Sequence, residues 1–199
     1  MRQIGYNSQR DNFAFAGKFS GYKQCFSTSA FMFMSFYSDK INVKDDKQLA
    51  WYVDQVEAGV GEKGIAERVK AKLPWIPAMG SSYWWNVQCQ AITEVLNIHK
   101  VKSNAIFTDA GNWSELENRL ILGPCIVATT KMGGLPGGHI VLFVDMDEDN
   151  YILNDPFGNP LTEYKDSNGE GIKIPKKWIK PFCENATKPG KVRFINWCT

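Results

Sequence analysis

Gly138-His139-Ile140-Val141-Leu142-Phe143-Val144-Asp145, followed after a short polar break by Tyr151-Ile152-Leu153-Asn154-Asp155-Pro156, decides how the chain folds. The first run is apolar on both alternating faces and rich in β-branched and aromatic residues. It leaves the loop Gly133-Gly134-Leu135-Pro136-Gly137-Gly138, which predicts a buried strand. Asp147-Glu148-Asp149-Asn150 turns the chain back, and Pro156, with no N–H to donate, ends the returning strand. The resulting hairpin sets His139 at the mouth of one strand and Asp155 near the end of the other. A carboxylate beside a histidine fixes its tautomer and stabilises its cation. Side chains alternate faces, so the two meet only if Asp155 lies opposite Val141 or Phe143. A two-residue turn at Glu148-Asp149 puts Asp155 opposite Leu142, on the wrong face. The expectation is therefore the loop Glu148-Asp149-Asn150, with Asp147 opposite Tyr151, or else a bulge that restores the parity. On opposite faces, Asn154 would replace Asp155 as the orienting residue.

Upstream of the hairpin the pattern is helical. Residues 1–24 lack a helical period and read as an extended segment lying over the body. Ser27 to Tyr37 is apolar nearly all round, which predicts a buried helix with Cys25 at its start. Asp45 and Asp46 cap a stretch running to Glu57, and Gly64 to Lys72 gives a third helix ended by Pro74. A loop from Pro74 to Tyr83, carrying Trp75, leads into a fourth helix from Trp84 to Leu96. Ile98 to Phe107 is ambiguous. Asn112 then caps a helix over Trp113 to Leu122, closed by Gly123-Pro124, and Cys125 to Thr129 reads as a short strand. The tail holds a short helix near Lys176 to Ile179 and a last strand at Val192 to Trp197. Helices first and strands later predict an α+β domain spanning residues 1–199.

With 44% hydrophobic residues in 199, the chain can bury its own core without disulfides or a metal. Its 23 basic and 21 acidic residues leave a charge of +2, too small for a nucleic-acid footprint. No run approaches the roughly 18 apolar residues of a membrane span, and Met1 to Ser8 has no apolar core of a signal peptide. These features predict a soluble monomer made in the cytoplasm. Five cysteines, widely spaced and without a C-x-x-C pair, argue against a disulfide framework and a zinc site, although a Cys183–Cys198 bridge stays open for a protein acting outside the cell.

Cys25 has the chemistry of a nucleophile, because a helix N-terminus and a nearby imidazolium both favour a thiolate. Cys89, mid-helix, and Cys125, in an apolar strand, read as small hydrophobes. His99, in the polar run Asn97 to Lys102, reads as a surface residue. Three motifs are decoys. Gly59-Val60-Gly61-Glu62-Lys63-Gly64 spells G-x-G-x-x-G but follows a helix where a dinucleotide site needs a strand. Asp145, Asp147 and Asp149 open like a calcium loop, yet Asn150 stands where its glycine belongs and Pro156 where its final Glu belongs. Lys173 to Lys180 reads as a solvated basic face.

Four motifs in order, Ser8-Gln9-Arg10-Asp11-Asn12, Gln24-Cys25-Phe26-Ser27-Thr28-Ser29, Gly137-Gly138-His139-Ile140-Val141 and Asn154-Asp155-Pro156-Phe157-Gly158, resemble the C39-like group of papain-fold cysteine peptidases. Phe26-Ser27 departs from the Gly-Pro or Asn that commonly follows the cysteine. The resemblance implies a papain-like fold in which N-terminal helices, the nucleophile helix among them, pack on a C-terminal antiparallel sheet. It also implies Cys25 as nucleophile, His139 as general base and acid, Asp155 as its orienter and an upstream glutamine as oxyanion donor. Gln9 is preferred over Gln24, whose place next to Cys25 hinders its amide from facing the same oxyanion. No cofactor or metal is implied. The stand-alone members resemble cell-wall lysins, including those of bacteriophages, so the expected substrate is a peptidoglycan peptide met after release from the cell. A protease or acyltransferase acting on a protein, and a binding module that has lost turnover, are the alternatives.

Overall fold

Thr28 through Met34 offer no polar stripe that could face water, and all seven residues are buried in the first helix, α1 (Cys25–Tyr37). The chain is described here by a computed structural model covering residues 4–10, 24–45, 47–49, 52, 81–185 and 187–198. The expected helices at Gly64 to Lys72 and beyond Tyr52, the Trp75 loop, the Gly59 to Gly64 motif and residues 11–23 lie outside the described residues. The Asp45 cap lies inside them: its carboxylate accepts from the N–H groups of Lys47 and Gln48, at 2.9 and 3.3 Å.

Helix α2 (Ser81–Ile98) begins three residues before the expected start. Strand β1 (Asn104–Gly111) follows, in a stretch whose mixed sequence gave no period because it is only part-buried along its length. Helix α3 (Trp113–Leu122) has the expected bounds, with Asn112 Oδ1 accepting from the Glu115 N–H at 2.8 Å. Then come β2 (Cys125–Thr130), β3 (Gly138–Met146), β4 (Asn150–Asn154) and β5 (Ile172–Pro175). Helix α4 (Lys176–Cys183) runs four residues past the expected Ile179, and β6 (Glu184–Asn185) and β7 (Lys188–Cys198) close the chain. Among the described residues all pairings are antiparallel, in the order β1-β7-β2-β3-β4-β5, with β6 on β7.

Alternation along the strands divides the core into two layers. Ile126, Leu142 and Ile195 face α1 and α2, burying Phe31, Phe33, Ile92 and Leu96. Val127, Val141, Phe143 and Phe194 face the other way, against Leu116 and Leu120 of α3 and Ile179 of α4. Helices therefore cover both faces. The expected succession of helices and then strands is corrected accordingly, since β1 precedes α3.

The β3–β4 turn differs from the simpler expectation. Asp147 N–H donates to the Asn150 carbonyl at 2.9 Å, which closes the two-residue turn, and the Asp147 carboxylate accepts from Asp149 and Asn150 N–H groups. Met146 pairs with Tyr151 and Asp145 with Ile152, but the register then shifts to Phe143 with Leu153 and Leu142 with Asn154. One extra residue, Val144, makes a bulge. The next position in that register sets Asp155 against Val141, and the parity is restored.

Candidate active site

His139 enters β3 at its second residue, paired with Thr129, whose hydroxyl donates to the His139 carbonyl at 3.2 Å. Its Nε2 lies 2.7 Å from Asp155 Oδ1, so the two share a face as the bulge requires. Cys25 comes from the opposite layer. Helix α1 crosses β3 with Ser29 Oγ donating to the Ile140 carbonyl at 3.3 Å, which brings its first residue, Cys25, close enough to the imidazole to act on its charge. With Nε2 taken by Asp155, Nδ1 is the nitrogen left to the sulfur.

The imidazole is 4% exposed and the Asp155 side chain fully buried. Burial, the largest single influence on His139, works against its charge. The Asp155 charge and hydrogen bond, joined by the Cys25 hydrogen bond and charge, outweigh it and push the histidine up to about 10. His139 is thus held as a cation between two acidic groups. Burial pushes the thiols of Cys89, Cys125 and Cys183 up from their usual range, which keeps them neutral. All five cysteines are free, so Cys183 and Cys198 are not bridged.

The N-terminal segment fixes the far wall. Gln9 is buried, and its N–H donates to the Pro156 carbonyl at 2.8 Å. Asn7 N–H donates to Met32 Sδ of α1 at 3.4 Å. Arg10 sends Nη2 to the Tyr164 carbonyl at 3.1 Å and lies over the Phe157 ring. Gln24 is also buried, directly before Cys25, with its carbonyl accepting from Thr28 N–H at 2.9 Å.

Three supporting residues carried no signal in the sequence. Tyr6 donates its hydroxyl to the Asp155 main-chain carbonyl and accepts from Gly169 N–H, both at 3.1 Å. Gly169 in turn accepts from Asp155 N–H at 2.8 Å. Tyr164 donates to Asp155 Oδ2 at 3.1 Å. The only hint was the turn-rich run Asp166-Ser167-Asn168-Gly169, which reads as an ordinary loop.

His99 lies near the surface, flanked by the exposed Asn97, Ile98 and Lys100. It is half-buried, with Nδ1 3.0 Å from Ser38 Oγ, and burial followed by the charge of Lys40 lowers its pKa. Two of the expected decoys have structural roles: Asp147 pairs with Lys173 at 2.7 Å, and Lys176 with Glu117 at 3.2 Å. Among the described residues no cluster of His, Cys, Asp and Glu is arranged to hold a metal, and no helix is long and apolar enough to cross a membrane.

No curated protein matches the sequence significantly. A crystal structure of a Bacillus anthracis protein, provisionally named a C39-like peptidase, shares the fold at a TM-score of 0.57 and 13% identity, over 100% of this chain and 96% of that one. The sequence profile of the Peptidase_C39 like family matches residues 1–180. With nine-tenths of its length under that profile, the chain belongs to the Peptidase_C39 like family.

Proposed function

We propose that the protein is a papain-like cysteine peptidase, its domain spanning residues 1–199, that cleaves peptide bonds through Cys25, His139 and Asp155. The observation that carries this reading is the buried imidazole, which bonds Asp155 and has the Cys25 thiol acting on its charge. An imidazolium beside a sulfur is the counter-ion a thiolate nucleophile needs. Cys25 attacks the carbonyl carbon, and His139 gives its proton to the leaving amine. The imidazole then takes a proton from water, which attacks the thioester and frees the acid. Gln9 and the Cys25 N–H hold the oxyanion. No cofactor enters this sequence.

Among peptides we take the stem and cross-link peptides of bacterial peptidoglycan as the substrate, the role of a lysin acting on the wall. A charge of +2 and the exposed Trp84 suit an anionic, sugar-bearing polymer. A zymogram on purified cell walls, with mass analysis of the fragments, tests both levels of the proposal. Cleared walls and new amino termini are expected from the wild type and neither from Cys25→Ala. Cleavage of a protein substrate with intact walls would leave the peptidase and remove the lysin. Iodoacetamide at neutral pH should label Cys25 first, and labelling of Cys89 or Cys183 ahead of it would overturn the nucleophile.

A further inference from the structure

Asp155 is fully buried and has two carboxylate oxygens to satisfy. Oδ1 takes two donors, His139 Nε2 at 2.7 Å and the Phe157 N–H at 2.8 Å. Oδ2 accepts from the Tyr164 hydroxyl at 3.1 Å. A buried charged oxygen deprived of its donor is costly, so this hydroxyl bears on the charge of the whole pair.

Tyr164 reaches that position against the preference of its backbone. Glu163 and Tyr164 are consecutive non-glycine residues in the left-handed region, with φ of 54° and 61°. Such conformations persist where the surroundings over-determine them, and they gather at functional sites. Here Tyr164 N–H donates to the Asn159 carbonyl at 3.0 Å, and its own carbonyl accepts from Arg10. The ring stands edge-on to both His139 and Phe157, with centroids 6.1 and 5.1 Å away. Gly133 makes room for it, since a Cβ there would lie 2.6 Å from Tyr164 Cε2.

From this geometry we infer that Tyr164 is a positioning residue of the Cys25–His139–Asp155 unit, its hydroxyl holding the outer oxygen of Asp155 so that the carboxylate stays aimed at His139. The inference rests on the peptidase reading of that unit. Among the described residues, the other titratable or charged groups against the pair are Cys25 from α1 and Tyr6 and Arg10 from the N-terminal segment. Tyr6 serves the Asp155 main chain and not its carboxylate.

The test is the rate of Cys25 alkylation by iodoacetamide across the pH range, with the labelled site identified by mass. Tyr164→Phe keeps the ring and drops the hydroxyl, so the carboxylate is held less firmly against His139 and supports the imidazolium less. The acid limb of the profile should move up by about half a unit to one unit while circular dichroism stays unchanged. Tyr164→3-fluorotyrosine, whose more acidic hydroxyl donates more strongly, should move the limb down. A profile for Tyr164→Phe that superimposes on the wild type, or that drops equally at every pH, would overturn the inference. So would a shift in the same direction from both variants. Labelling that persists in Cys25→Ser would instead overturn the peptidase reading, and the inference with it.

Discussion

His139 is buried, charged and shared. Its Asp155 partner is fully enclosed, so truncating the imidazole leaves a carboxylate without its counter-ion, and breaking a buried pair in this way costs roughly 3–5 kcal/mol. His139→Ala should therefore lower turnover about as far as Cys25→Ala, since members of such a unit are not additive. His99→Ala, which breaks only the contact to Ser38, should leave turnover unchanged. Assay of the two variants on one substrate decides it, and equal losses would sink the assignment. Gln9→Ala should cost about a hundredfold to a thousandfold in turnover with little change in binding. If Gln24→Ala does so while Gln9→Ala is silent, the adjacent glutamine is the donor. At this scale the cysteine, the histidine and the carboxylate were legible because each sits at an element boundary that sequence marks. Tyr6, Tyr164 and Gly169 were not, because what distinguishes them is contact across 163, 9 and 14 residues of chain.

The segment 166–169 acts as a splint along Asp155, and Gly169 is where it touches. A Cβ at that position would lie 1.9 Å from the Asp155 carbonyl oxygen, a backbone atom that cannot turn aside. Gly169→Ala should thus push the carboxylate off His139 and cost about 1–3 kcal/mol, as overpacking does. Thermal unfolding should then begin several degrees lower, with activity lost well below that temperature; an unchanged midpoint would show that the splint can slide. The hairpin shows where element-level reading succeeds and where it stops. Alternation and turn chemistry correctly demanded an odd partner for Asp155. They could not choose between a longer loop and a bulge, since Asp147 favours the tight turn locally and only the packing of β3 between β2 and β4 decides where the extra residue goes. Strand β1 was obscure for a related reason: part-buried on both faces, it has no period to read.

For the molecule as a whole the charged histidine sets a pH dependence. Its unfolded value is 6.5 and its folded value about 10, so the stability it contributes is fully present below about 6.5 and disappears as pH rises through 10. Denaturant unfolding of the wild type and of His139→Gln should show a stability difference that narrows between about pH 7 and about pH 10.5. A difference that widens with pH would mean the imidazole is neutral in the fold. The mix of helices and strands was legible from periodicity and their packing on an antiparallel sheet from the family resemblance, whereas the strand order was not, because β7 is the last strand in sequence yet lies between β1 and β2. That placement has a consequence in time. A chain emerging from the ribosome carries its cysteine, histidine and aspartate before residues 188–198 arrive to join β1 to the strands β2 to β5, and such distant pairings form late. Until that strand arrives, Cys25, His139 and Asp155 have no completed sheet to hold them together. Chains stalled short of residue 188 should show a Cys25 no more reactive than a free thiol.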